Sequence, residues 1–88
     1  MRVLDWSDAK NAANLRKHKV NFDSAERFDW KGAEIEIDDR EDYGELRQIA
    51  TGHTGDVPYV LVFTERGDVT WIISLRKASK KEREHYGR

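Results

Sequence analysis

Residues 33–38 read AEIEID, with Ala33, Ile35 and Ile37 alternating against Glu34, Glu36 and Asp38. A period of two predicts a strand with its apolar side buried and its acidic side in water. ELRQIATG at 45–52 gives a second strand, after a turn at DREDYG. YVLVFTE at 59–65 is an almost unbroken apolar run and predicts a buried strand; VTWIISLR at 69–76 predicts the last. The connections HTGDVP and ERGD hold the Gly and Pro that break pairing, and they are short enough to join neighbours as an antiparallel meander. On the last strand, alternation sets Ile72, Ser74 and Arg76 on one side. Trp71, Ile73 and Leu75 fall on the other, which is bulky enough to be core.

Ahead of the strands the period lengthens. RVLDW at 2–6 predicts a short first strand, Ser7 an N-cap, and DAKNAANLRKH at 8–18 a helix with Ala9, Ala12, Ala13 and Leu15 on its apolar side. Asn21 caps a brief second helix, with Val20 and Ala25 placed as a hydrophobic staple and Phe28 continuing inward, ending near Trp30 and Gly32. After Arg76 a third helix closes the chain. The expected fold class is α+β: one domain over residues 1–88, with an antiparallel sheet of about four to five strands, two N-terminal helices and one C-terminal helix. The helices are expected on one sheet face, leaving the other free to work.

Composition narrows the function. Eighty-eight residues, 38% hydrophobic and 38% charged, suffice for one small core, although a chain of this size removes only roughly two-thirds of its surface from water. The absence of cysteine excludes disulfides, thiolate nucleophiles and Cys-based zinc sites. There is no positive-then-apolar leader, and the apolar run VPYVLVF is far shorter than the roughly 20 residues of a membrane helix, so a cytoplasmic protein is expected. A net charge of −1 argues against coating nucleic acid by bulk attraction. The distribution is uneven, however: residues 31–45 carry seven acids against two bases, and residues 71–88 six bases against two acids. Such polarity suits one surface for a polyanion and another for a basic partner.

Glu45 and Arg47, two apart on a strand, leave the same sheet face, and Arg76 projects away from the core with Lys77 beside it. One carboxylate and several cations suit metal-free phosphodiester cleavage. A base deprotonates the ribose 2′-hydroxyl, and guanidiniums stabilise the extra charge on phosphorus. The same residues also fit plain surface ion pairs. His18 follows Lys17 at a helix end, where it can transfer protons or simply answer the helix dipole. His18, His53 and His85 lack metal-ligand spacing, so no metal and no cofactor is expected. Trp6, Trp30 and Trp71 are read as packing residues in preference to base-stacking platforms.

The opening DW with Lys10 and Asn14-Leu15, then KHKVNFDSAERF at 17–28, YGELRQIATG at 43–52, VLVFTER, and IISLRKASKKEREHY at 72–86 together resemble the BrnT family. The resemblance implies a RelE-like fold and an endoribonuclease toxin that cuts RNA and so inhibits translation. It also implies a BrnA-like ribbon-helix-helix antitoxin, with operator DNA bound only through the antitoxin complex. By position it implies Lys17, His18, Glu45, Arg47 and Arg76 as catalytic groups, and Lys77 and Tyr86 as substrate-binding groups. Glu82 is expected to position or pack. Glu45 or His18 is the base. Trp71 stands where such families usually carry Arg, and Leu75 where they carry a small residue; alternation makes Trp71 a packing change. The rival expectation is a degenerate, non-catalytic module that holds a DNA-binding partner through the acidic strand.

Overall fold

A computed structural model describes residues 2–86. Its described elements are β1 (Val3–Asp5), α1 (Asp8–His18), a 3₁₀ helix (Phe22–Arg27), β2 (Glu34–Asp38), β3 (Arg47–Thr54), β4 (Val57–Arg66), β5 (Val69–Lys77) and α2 (Lys80–Tyr86). Among these residues one five-stranded sheet runs in the order β1-β5-β4-β3-β2. The meander β2 to β5 is antiparallel, as expected, but β1 joins β5 in parallel, so the sheet is mixed. The chain between β1 and β5 is long enough for either sense, so alternation alone leaves this pairing open. HTGDVP collapses to a two-residue Gly55-Asp56 turn. Both it and Gly67-Asp68 put glycine first with φ near +60°, the glycine-first pattern of a type II′ hairpin.

Ser7 accepts from the Lys10 N–H, and Lys19 ends α1 in the left-handed region at φ 62°. Asn21 caps the next segment through the Asp23 N–H, but the turn it starts is 3₁₀, not α-helical. Val20, Phe22, Ala25 and Phe28 form the core from this side, against Ala50, Leu61, Phe63, Ile72 and Leu75 of the sheet. Edge-to-face contacts link Phe28, Trp30 and Phe63.

The inward residue of α1 differs from expectation. Leu15 is 44% exposed, and the buried side chain is Asn14. Past the end of β1, β5 has no strand on that edge, and the Asn14 carboxamide fills the gap. It accepts from the Leu75 N–H at 3.2 Å and donates to the Leu75 carbonyl at 2.7 Å and to the Val20 carbonyl at 2.9 Å.

A second correction concerns β5. Val62 pairs with Ser74 but Phe63 with Ile72, leaving Ile73 as an extra residue in a β-bulge. The bulge inverts the alternation at that point. Ile72 and Leu75 are therefore both core, while Trp71 lies opposite Thr64 outside the core cluster and Ile73 faces the opposite side of the sheet. Arg76 and Ser74 project away from the core, as expected. On β2, Ile35 and Ile37 are exposed and Asp38 is 4% exposed, the reverse of the sequence reading. Finally, α2 does not share the face of α1: its Lys81, Glu82, His85 and Tyr86 lean over the other one. Among the described residues no helix is long and apolar enough to cross a membrane.

Candidate active site

The face opposite the core holds a groove of about 800 Å³, walled by the end of α1, the strand face and α2. Each wall brings charge. Asn14 fixes α1 on β5, and Lys17 and His18, three and four residues later, come off the same helix face into the groove. Arg47 enters from β3 and Arg76 from β5 beyond the bulge. Four of the seven proposed site residues from these elements thus converge: Lys17, His18, Arg47 and Arg76. Tyr86 joins them from α2, its hydroxyl donating to the Gly32 carbonyl at 3.0 Å and its ring 5.2 Å from that of His53.

The other two stand apart. Glu45 is not among the groove residues; it lies beyond Arg47, with Oε1 3.3 Å from Arg66 Nη2 and Oε2 3.9 Å from Arg47 Nε. Lys77 is exposed opposite Tyr59 and also lies outside the groove. Beyond the expected residues, Arg40, Lys81 and His85 also line the groove, with Glu34, Glu36 and Asp38 of β2. Lys81 and His85 were legible as an i,i+4 pair on the helix face that carries Glu82 and Tyr86. Arg40 gave no periodic signal, because it sits in the β2–β3 connection.

The three groove arginines are held differently. Arg76 makes a two-pronged pair with Glu82, Nη1–Oε1 2.7 Å and Nη2–Oε2 2.8 Å. Glu82 is itself fixed by a capping box: its carboxylate accepts from the Ser79 N–H while Ser79 Oγ accepts from the Glu82 N–H. These bonds, Arg76 first, hold the Glu82 carboxyl down at about 2. Arg40 makes a second two-pronged pair with Asp38, at 2.7 and 2.8 Å, and Tyr43 donates to the same carboxylate at 3.2 Å. Asp38 is thereby held at about 2 despite its burial. Arg47 has no such partner. Its guanidinium stacks on Tyr43 at 3.9 Å, and its buried Nε makes no hydrogen bond.

His18 is half-buried, and its pKa is lowered from 6.5 by burial first, then by the positive fields of Lys17 and Arg76. A neutral imidazole beside fixed cations can accept a proton at neutral pH. Trp71 lies on this side of the sheet too, with the Arg66 guanidinium 4.7 Å from its ring.

The model of the family described as the BrnT ribonuclease toxin of type II toxin-antitoxin systems matches residues 6–82. No curated protein matches the chain. Among solved structures, the Brucella abortus ribonuclease toxin BrnT is similar at a TM-score of 0.72 and 24% identity, over 91% of this chain and 100% of that one. That likeness bears on the fold. The family match spans most of the chain, every groove-lining strand and the end of α1 included: the protein belongs to the BrnT ribonuclease toxins of type II toxin-antitoxin systems, a class with an RNA substrate and an antitoxin partner.

Proposed function

We propose that the groove cuts RNA internally, without a metal ion, by attack of a ribose 2′-hydroxyl on the adjacent phosphorus. His18 takes the hydroxyl proton; its lowered pKa keeps the imidazole in its accepting form near pH 7. The O2′–P bond forms, the P–O5′ bond breaks, and the 5′ oxygen takes a proton from water in the open groove. The products end in a 2′,3′-cyclic phosphate and a 5′-hydroxyl. Arg47, whose Nε makes no hydrogen bond, and Arg76, held in place by Glu82, face the phosphorane oxygens. Lys17 holds the RNA backbone. With these guanidiniums fixed in the groove, the added charge on phosphorus is met without a metal.

The base is His18 and not Glu45, because His18 lines the groove and Glu45 does not. Glu45 instead positions Arg47 from behind, and Lys77 serves at most at the groove's outer margin. The observation carrying the reading is the meeting of His18, Arg47 and Arg76 from three elements at one groove. Purified protein incubated with RNA in EDTA should cut it, and His18→Ala should slow cutting by about 10²- to 10⁴-fold, the usual worth of a general base. RNA that stays intact, or activity that vanishes in EDTA and returns with a divalent ion, defeats the mechanism. The antitoxin proposed is BrnA-like, covering the charged groove and carrying any operator DNA contact. Growth arrest on expression, relieved by co-expressing that partner, is the expected outcome.

A further inference from the structure

We infer that Arg40, aimed by the buried carboxylate of Asp38, binds a second phosphate of the RNA, one step along the chain from the phosphate that reacts. The inference rests on the RNA reading above and extends it to a residue outside the family motif segments. Asp38 pairs with Arg47 in the β2–β3 register, so its position is set by the sheet and not by a loop. Its carboxylate is nearly inaccessible, at 1% side-chain exposure, whereas Arg40 is 67% exposed. Burying a carboxylate is costly unless it is fully bonded. Here it is bonded by Arg40 Nε, Nη2 and backbone N–H and by the Tyr43 hydroxyl.

The result is a guanidinium with one edge, Nε and Nη2, fixed on Asp38 and its remaining donors open to the groove. An arginine so held keeps spare N–H donors in a known direction, which suits a phosphate oxygen. On the opposite wall Arg76 is held by Glu82 in the same two-pronged way. The two are near enough that Arg40 acts against the charge of Arg76. Like charges aimed into one groove from opposite walls leave a place for anionic ligand between or beside them. Tyr43, which donates to Asp38 and supports the Arg47 guanidinium, links the Arg40 position to the reacting end.

A purely structural role for the Asp38–Arg40 pair predicts something different, and paired removal separates the two. Removing Arg40 alone strands a buried charge, so the decisive variant is Asp38→Asn combined with Arg40→Ala, which leaves none. Binding of a fully 2′-O-methylated, uncleavable RNA of mixed sequence is measured by fluorescence anisotropy at several salt concentrations. The double variant should bind about tenfold more weakly, with a log–log salt slope lower by about 0.7, the value of one lost phosphate contact on a single strand. Asp38→Asn alone removes an opposing negative charge while leaving Arg40 unaimed, so its affinity should stay near the native value, and adding Arg40→Ala to it should then bring the tenfold loss. Native affinity and slope in a folded double variant overturn the inference. If wild-type binding depends on Arg40 but unmodified RNA is never cut, the cleavage mechanism fails and the Arg40 contact stands.

Discussion

Asn14 bonds both the N–H and the C=O of Leu75, standing in for the strand that β5 lacks beyond β1. The same carboxamide holds the Val20 carbonyl, so one side chain ties α1, β5 and the start of the core segment together. Asn14→Ala leaves buried backbone groups on Leu75 and Val20 unpaired. It should cost about 3 kcal/mol or more, at roughly 1 to 3 for each of the three groups left without a partner. Urea denaturation measures this. A loss below about 0.5 kcal/mol, the level of an ordinary surface change, refutes the strand-substitute role.

The bulge at Ile73 fixes which face each β5 residue occupies. Ile72→Ala should cost about 2 to 5 kcal/mol, as for a full core truncation. Trp71→Ala should cost less despite removing more atoms, because Trp71 is half-buried on the groove side under Arg66. Parallel urea denaturation of the two variants checks the order, and the reverse order would return Trp71 to the core.

These two residues also mark how far the sequence could be read. The strands β2 to β5, the caps Ser7 and Asn21 and the glycine-led turns were legible because each depends on local geometry: a period of two, a side-chain oxygen two or three residues before a helix-start N–H, a positive φ. The bulge was not, since VTWIISLR alternates nowhere in a way that marks the extra residue. Its consequence was the misplacement of Trp71, Ile72 and Ile73. Leu15 misled for a related reason, because an apolar residue was chosen for the inward face when that face needed donors and acceptors for an unpaired strand edge. Asp38 was read as wet because it falls on the acidic side of β2, and only the arginine two residues later makes its burial tolerable. Of the residues lining the groove, the family motifs named Lys17, His18, Arg47, Arg76 and Tyr86, while Arg40 lies in a connection where no periodicity points.

Acid should weaken the fold in a defined window. Asp38 is held at about 2 against an ordinary 3.8, and Glu82 at about 2 against 4.5. A depressed carboxyl binds fewer protons folded than unfolded, so its contribution is complete above the unfolded value and is lost as pH falls through the folded one. Stability should therefore fall between pH 4.5 and 2, with Glu82 contributing from the upper end and Asp38 from just below pH 4. Urea midpoints across this range should flatten in the Asp38→Asn/Arg40→Ala variant. An unchanged acid slope there means the pair contributes nothing to it.

His18 sets a different pH signature. Because its pKa is lowered, the ascending limb of the cleavage rate should lie below pH 6.5, with the rate already level near pH 7. Lys17→Ala and Arg76→Ala each remove one of the positive fields that lower it, so each should move the limb upward apart from any loss in rate. A limb that persists unmoved in His18→Ala assigns the base to another group.

Glu82 offers the sharpest separation of binding from chemistry. As a carboxylate it neutralises Arg76 and so opposes RNA binding, yet its two oxygens are what hold the guanidinium in one orientation. Glu82→Gln keeps a side chain that can complete the capping box with Ser79, so α2 should stay folded. It removes one negative charge from the groove, and RNA should bind at least as tightly, most visibly at low salt. The freed Arg76 no longer waits in the geometry of the phosphorane, so kcat should fall about tenfold or more, misplacement by an ångström being worth up to about 10²-fold. A falling kcat with a KM that is unchanged or lower is the pattern of lost positioning. If kcat is retained, Arg76 does not need Glu82 to aim it, and the ion pair serves only to fasten α2 to β5.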